Sequence, residues 1–157
     1  MSRADPPGTE TRRAALRLLD AVLREGLPLD SVLEGAASAL RRADDRAFAL
    51  AIASEVLRRL PDYDALIDGT TSRRLPDDAK ARFALRIALV QALALETPHH
   101  AAISTVLPLV DGGPRKLVHG VFSTVMREKW TLPEVPTLPE AVADRWRKAW
   151  GEEAVEA

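Results

Sequence analysis

The longest apolar stretch of the chain runs from Phe83 to Leu95, where only Arg86 and Gln91 are polar. A helix built from these residues has no wide polar face, so we expect it to lie inside a bundle of other helices. The stretch is too short for a membrane span, which needs about 20 apolar residues in a row, and Arg86 lies near its beginning. The pattern therefore predicts a water-soluble protein with one helix at its centre.

Apolar residues at helical spacing, separated by short breaks with Pro or Gly, predict further helices in the rest of the chain. The predicted helices span about 9–25, 30–42, 44–60, 62–68, 75–95, 98–111 and 114–130. Pro108 predicts a kink or an early end of the sixth helix. No segment alternates with the period of two that is typical of strands. The sequence thus predicts an all-α bundle of about seven helices.

Helix starts and inner faces follow from the same pattern. Thr9 or Thr11 is expected to cap the first helix, and paired aspartates are expected at the starts of the third and fifth helices, at 44–45 and 77–78. The residues expected to face the core are Leu16, Leu18, Leu19, Val22 and Leu23 in the first helix, Val32, Ala36, Ala39 and Leu40 in the second, Phe48, Ile52, Val56 and Leu60 in the third, and Leu117, Val118, Val121, Phe122 and Val125 in the seventh.

Proline content indicates the domain organisation. Residues 1–10 are polar, contain two prolines and lack the apolar segment of a secretory signal, so we expect a flexible arm. Residues 11–130 form the bundle, and residues 131–139, with three prolines, form an extended linker. Residues 140–157 carry Val142, Trp146 and Trp150 at a spacing of four, which predicts a short appended helix that packs on the bundle or on a further domain.

Charge and composition limit the chemistry. The 22 Lys and Arg residues nearly balance the 23 Asp and Glu residues, for a net charge of −1, so nucleic-acid binding requires a local basic patch and no overall field attracts a membrane. The absence of cysteine excludes disulfides, thiolate metal sites and a cysteine nucleophile in this chain. Three histidines without metal-ligand spacing predict no metal site. Without a secretory signal, we expect a cytoplasmic protein.

A series of short motifs resembles one protein family in order and spacing. It resembles the NusB-like family of helical RNA-binding domains, and more closely the N-terminal domain of the RsmB/Sun family of bacterial ribosomal RNA 5-methylcytosine methyltransferases. The matching segments are Thr11-Arg12-Arg13-Ala14-Ala15, Asp45-Arg46-Ala47-Phe48, Val56-Leu57-Arg58-Arg59, Leu89-Val90-Gln91-Ala92-Leu93, Pro98-His99-His100-Ala101-Ala102 and Lys116-Leu117-Val118-His119-Gly120-Val121-Phe122.

The resemblance implies a non-catalytic RNA-binding domain that positions ribosomal RNA for a covalently linked cytosine-5 methyltransferase domain. Such enzymes use S-adenosylmethionine and a cysteine nucleophile. This chain has neither a cysteine nor a Gly-rich strand-to-helix loop, so we expect no cofactor and no catalysis in it. Two alternatives stay open: a stand-alone antitermination factor that binds a leader RNA together with a small ribosomal protein, and a protein-interaction bundle without RNA affinity.

Basic residues near predicted helix ends are the candidate RNA contacts. The start of the first helix is where the family places basic residues against RNA, and Arg3 could add a contact from the arm. Other pairs, including Arg73-Arg74, could equally interact with helix dipoles or remain solvated. The predicted RNA-binding residues are Arg12, Arg13, Arg17, Arg58, Arg59, Arg115 and Lys116.

Overall fold

The structure, a computed structural model, describes residues 5–137 of the 157-residue chain. These residues contain no strand, and a 3₁₀ turn at Leu107–Leu109 lies between the last two helices. The prediction of an all-α bundle of about seven helices is confirmed. The helices are α1 (Thr9–Leu23), α2 (Leu29–Ala36), α3 (Ala43–Arg58), α4 (Leu60–Thr70), α5 (Lys80–Leu93), α6 (His99–Ser104) and α7 (Gly113–Arg127).

Helix α5 forms the centre of the bundle, as its apolar pattern predicts. Every residue from Ala81 to Gln91 is buried, and the helix contacts α1, α3, α4, α6 and α7. Burying apolar surface contributes about 25 cal/mol per Å², so a helix that is apolar all round is most stable when neighbours cover every side. The surface that remains for function therefore lies on the outer helices and near the ends of α5.

Two arginines lie inside this buried helix, and aspartates of α4 pair with both. The Arg82 side chain is fully buried, and its guanidinium donates to Asp64 Oδ1 at 3.1 Å, to Asp68 Oδ1 at 2.6 Å and to the Leu75 carbonyl. Arg86 donates to both Asp64 oxygens, at 2.9 and 3.1 Å, so Asp64, which is partly exposed, pairs with both arginines. Because buried charges are tolerated only when paired and hydrogen-bonded, these contacts tie α5 to α4.

The start of α1 differs from the prediction. Gly8, not a threonine, occupies the N-cap, and the Thr9 hydroxyl donates to the Pro6 carbonyl at 2.7 Å. Gly8 has a φ of +93°, which L residues rarely adopt, and a Cβ on it would lie 2.7 Å from Arg12 Nη1. The expected cap by Thr9 or Thr11 is therefore wrong, because the tight approach of Arg12 requires a glycine at this position.

Helix α2 is shorter than predicted. It ends at Ala36 instead of continuing to residue 42, and the following turn is closed by a hydrogen bond from the Leu40 N–H to the Ala37 carbonyl. Leu40 is buried as expected, but Ala39 is exposed. Gly35 in the last turn weakens the helix, because glycine loses more backbone freedom than other residues when it becomes helical.

One predicted helix start and one predicted core residue are also corrected. Asp77 and Asp78 lie in a turn before α5 and not in its first turn, because the helix begins only at Lys80. In α7, Val118 is fully buried as expected, but Leu117 is 38% exposed. Successive residues of a helix are separated by about 100°, so Leu117 falls at the edge of the inner face.

The prolines that interrupt the pattern lie where the helices change. Helix α3 ends at Arg58, and Pro61 lies in the first turn of α4, where a backbone N–H is not needed. Pro108 lies in the 3₁₀ turn after α6 has ended at Ser104, which confirms the early end of the sixth helix.

The described part of the linker, residues 131–137, contains no helix, and Leu132 packs against the core. Residues 1–4 of the predicted arm, the end of the linker and the predicted helix with Trp146 and Trp150 lie outside the described residues. The domain bounds drawn from the sequence therefore stay predictions. Among residues 5–137, no helix is both long enough and apolar enough to cross a bilayer.

Candidate RNA interface

A groove of 420 Å³ between α1 and the start of α5 brings four basic side chains together. Arg13 and Arg17 belong to α1, Arg24 directly follows it, and the fourth is Lys80 of α5. Two carboxylates and three apolar side chains complete the lining. The complete set is Arg13, Leu16, Arg17, Asp20, Arg24, Asp78, Lys80, Phe83 and Leu109. The lining itself holds four cations and two carboxylates, and two further carboxylates, Asp5 and Glu10, lie next to Arg13.

The four cations differ in how they are paired. Arg13 donates to Asp5 and to Glu10, both at 3.2 Å, and Arg24 donates to Asp20 at 3.1 Å. Arg17 and Lys80 are exposed and form no ion pair with any described residue. Exposed ion pairs contribute about 0–1 kcal/mol, so an incoming anion can replace the carboxylates at low cost.

This arrangement suits a single-stranded phosphate backbone. Proteins that bind single strands combine a positive groove that follows the backbone with apolar or aromatic surface for the bases. Arginine adds a planar fork of donors that matches a phosphate group. Arg13 and Arg17 are four residues apart on one face of α1, and Arg24 follows seven residues later with Asp20 between them, which offers phosphate contacts along one side of the helix.

Arg12 faces away from this groove and into the core. It is 8% exposed, its Nε donates to Gln91 Oε1 at 2.9 Å, and its guanidinium lies 4.8 Å from the centre of the Phe48 ring. Burial lowers the pKa of the Arg12 guanidinium. We correct its assignment from an RNA contact to a residue that joins α1 to α3 and α5, because the side chain is buried and its Nε and Nη1 already have partners inside the protein.

Arg58 and Arg59 lie at the end of α3, on a separate cavity that shares no lining residue with the groove. Arg58 is exposed and forms two hydrogen bonds with Glu55, at 2.7 and 3.0 Å, which raise its pKa. Arg59 is buried and paired with Asp62 at 3.0 Å. Arg59 is therefore corrected to an internal residue, whereas Arg58 is accessible and stays a predicted contact away from the groove.

Arg115 and Lys116 are exposed at the start of α7. Arg115 Nε donates to the carbonyl of Val110 at 3.1 Å, and Val110 directly follows Leu109 of the groove lining. Arg115 is thus linked through Val110 to the segment that supplies Leu109, and both basic residues stay predicted contacts outside the groove lining. Arg74 pairs with Asp77 at 2.6 Å instead.

Sequence reasoning missed Lys80 and Arg82. Lys80 belongs to the groove only because α5 packs beside α1, and this packing leaves no local signal in the sequence. Arg82 stands just before the apolar stretch and resembles a surface residue at a helix start, yet it is 0% exposed. A useful signal was present for Arg82: two aspartates one turn apart in the preceding helix, Asp64 and Asp68, offered it carboxylate partners.

The histidines do not form a site in the described structure. His99 and His100 begin α6, and His99 packs edge-on to Phe122 with ring centres 6.3 Å apart. Within residues 5–137, no three His, Cys, Asp or Glu side chains are grouped so that they could hold a metal ion.

Sequence comparison finds relatives that carry the name ribosomal RNA small subunit methyltransferase B. The relative from Xylella fastidiosa (strain Temecula1) is 34% identical over 155 residues, covering 94% of this chain and 36% of the relative. The relative from Xanthomonas campestris pv. campestris is 32% identical over 153 residues, covering 94% of this chain and 35% of the relative. The chain therefore spans about a third of the length of the curated relatives it matches.

Structural comparison identifies the same fold in NusB from T. maritima, with a TM-score of 0.67. The match covers 83% of this chain and 96% of the T. maritima chain at 19% sequence identity, which establishes the fold alone. In sequence, residues 9–127 match the NusB family, from the first residue of α1 to the last residue of α7. The chain therefore belongs to the NusB family.

Proposed function

We propose that this chain is a non-catalytic RNA-binding domain that positions ribosomal RNA for a cytosine-5 methyltransferase domain of the same polypeptide. The observation that carries the proposal is the basic groove of α1 and α5, with Arg17 and Lys80 unpaired among the described residues. The relatives named as ribosomal RNA methyltransferases support the kind of RNA, and the chain spans only about a third of their length.

In this proposal, an RNA strand lies along α1 and its phosphates replace solvent and weak ion pairs. Arg17 and Lys80 contact phosphates directly, while Arg13 and Arg24 exchange their carboxylate partners for phosphate. Each contact releases counterions from the RNA, which supplies most of the affinity at low salt. These contacts fix the position of the strand on the bundle without reading its bases.

The chemistry of methyl transfer would be supplied by residues outside this chain. S-adenosylmethionine would provide the methyl group there, and a cysteine of that domain would be the nucleophile. The residues of this chain contribute only binding and orientation, since they include no cysteine. Holding the substrate in one position lowers the entropic cost of the reaction that follows.

Fluorescence anisotropy titrations distinguish this proposal from its rivals. The chain is titrated into a labelled hairpin of small-subunit ribosomal RNA and into a leader-RNA hairpin of equal length, with and without a small ribosomal protein. Tighter binding to the ribosomal hairpin by the chain alone is expected. Preference for the leader RNA that depends on the added protein would instead indicate an antitermination factor. No binding to either RNA at low salt would favour a protein-interaction bundle.

A further inference from the structure

The ion pair between Arg59 and Asp62 lies at the junction of α3 and α4 and is almost completely buried. Arg59 is 9% exposed and Asp62 is 3% exposed. Asp62 lies in the first turn of α4, where a carboxylate interacts favourably with the helix dipole. Asp62 Oδ2 accepts from Arg59 Nε and lies 3.0 Å from Arg59 Nη2, and the linker forms further hydrogen bonds to this same Oδ2 and Nη2.

The linker residues 131–137 are bound to this pair through their backbone. Arg59 Nη2 donates to the carbonyl of Pro133, and the backbone N–H of Thr137 donates to Asp62 Oδ2 at 3.1 Å. The two contacts are four residues apart on the linker, so the segment between them is held at both ends. The contacts use backbone atoms, and they therefore fix the path of the chain independently of the linker side chains.

Apolar contacts hold the start of the same segment. The Trp130 ring lies over Gly69 of α4, where a Cβ on Gly69 would be only 3.1 Å from the ring. Leu132 packs against the core. The linker thus packs on a surface formed by α4 and the end of α3.

We propose that the Arg59–Asp62 pair is a latch that docks residues 133–137 of the linker on the bundle and so fixes the position and direction of the backbone at Thr137. A proline-rich linker without such contacts is semi-rigid, but its orientation relative to the bundle is not fixed. With the latch closed, any domain that follows is joined to the bundle in a restricted orientation. This inference does not depend on RNA binding by the groove.

The neighbouring Arg58 provides a matched comparison. It is also at the end of α3 and lines the same cavity under the linker, but it pairs with Glu55 and makes no hydrogen bond to the linker among the described residues. If the latch acts through specific contacts and not through local charge, replacing Arg59 should loosen the linker, whereas replacing Arg58 should leave it docked.

Hydrogen exchange with mass spectrometry of the full 157-residue chain tests the latch. Removing one partner alone would leave the other as an unpaired buried charge and could unfold the chain, so the informative change is the double variant Arg59→Met/Asp62→Leu. The Thr137 amide should then exchange at least about tenfold faster, as expected for the loss of a hydrogen bond to a charged acceptor. Exchange in α1 and α5 should stay as in the parent chain, and Arg58→Met should leave the Thr137 amide protected.

A spin label on the linker reports its mobility directly. Val135 is 50% exposed, and the chain has no other cysteine, so Val135→Cys gives a single label site. The label should be restricted in the parent and in Arg58→Met but mobile in the latch double variant. Unchanged exchange and label mobility in a folded double variant would overturn the proposal and assign the docking to Trp130 and Leu132. Equal loosening by Arg58→Met would overturn it as well.

Discussion

Arg82 offers the sharpest test of how this fold tolerates charge in its central helix. The substitution Arg82→Met keeps a long side chain in the same space but removes the guanidinium. It deletes the hydrogen bonds to Asp64, Asp68 and the Leu75 carbonyl. The side chain is 0% exposed, so water cannot replace these bonds from the arginine side.

The expected loss follows from what the deletion leaves behind. Removing one partner of a buried ion pair costs about 3–5 kcal/mol. The Asp64 side chain is 23% exposed and keeps its bonds to Arg86, and the Asp68 side chain is 37% exposed, so both carboxylates stay partly solvated. The lower end is therefore expected, about 3 kcal/mol, which lowers Tm by roughly 10–15 °C for a domain of this size.

Urea unfolding followed by far-ultraviolet circular dichroism measures this loss. Arg73→Met is the control, because Arg73 is exposed and forms no ion pair with a described residue. It should change the free energy of unfolding by less than about 0.5 kcal/mol. If the free energy of unfolding of Arg82→Met lies within about 1 kcal/mol of the parent value, with an unchanged m-value, the ion pairs between Arg82 and α4 do not stabilise the bundle.

Two further outcomes follow from buried polar groups. Arg12→Ala should lower stability by about 2–4 kcal/mol, because it leaves the buried Gln91 oxygen without its donor, yet RNA affinity of the folded variant should not change. Weaker RNA binding by a folded Arg12→Ala chain would refute its internal role. Tyr63, the single tyrosine, is buried and its hydroxyl has no described partner, and burial raises its pKa well above 10.0. Because Tyr63 ionises near pH 10 only in the unfolded chain, the free energy of unfolding should be unaffected by this group below pH 10 and should fall above it. In a pH titration, tyrosinate absorbance should grow only as helicity is lost. Tyrosinate absorbance in a chain that is still folded near pH 10 would contradict this.

The apolar pattern predicted the core well because burial is a property of whole helix faces. Helix α5 is apolar all round and therefore central, and the stripe with Arg13, Arg17 and Arg24 is the polar face of an amphipathic helix. The same reasoning could not separate Arg12 from Arg13. One residue is a rotation of about 100°, and the partner that holds Arg12 inside is 79 positions away in the sequence.

The contacts that decide which cations are accessible are mostly long-range. Arg59 and Asp62 are close in sequence, but the linker atom that Arg59 binds is 74 positions further along the chain. Lys80 joins the groove only through the packing of α5 beside α1. Sequence spacing defines a face of a helix, whereas the neighbour of that face is determined by the tertiary fold.

The most direct test of the central claim is the salt dependence of RNA binding by charge-matched variants. Arg17→Ala/Lys80→Ala removes two cations from the groove, and Arg127→Ala/Lys129→Ala removes one exposed arginine at the end of α7 and one exposed lysine just after it. Each lost single-strand phosphate contact should flatten the plot of log affinity against log salt by about 0.7, so the groove variant should lose about 1.4 in slope. The control variant should keep the parent slope, and both should melt as the parent does. Equal slopes for all three folded proteins, or equal losses for both variants, would contradict RNA binding in the groove.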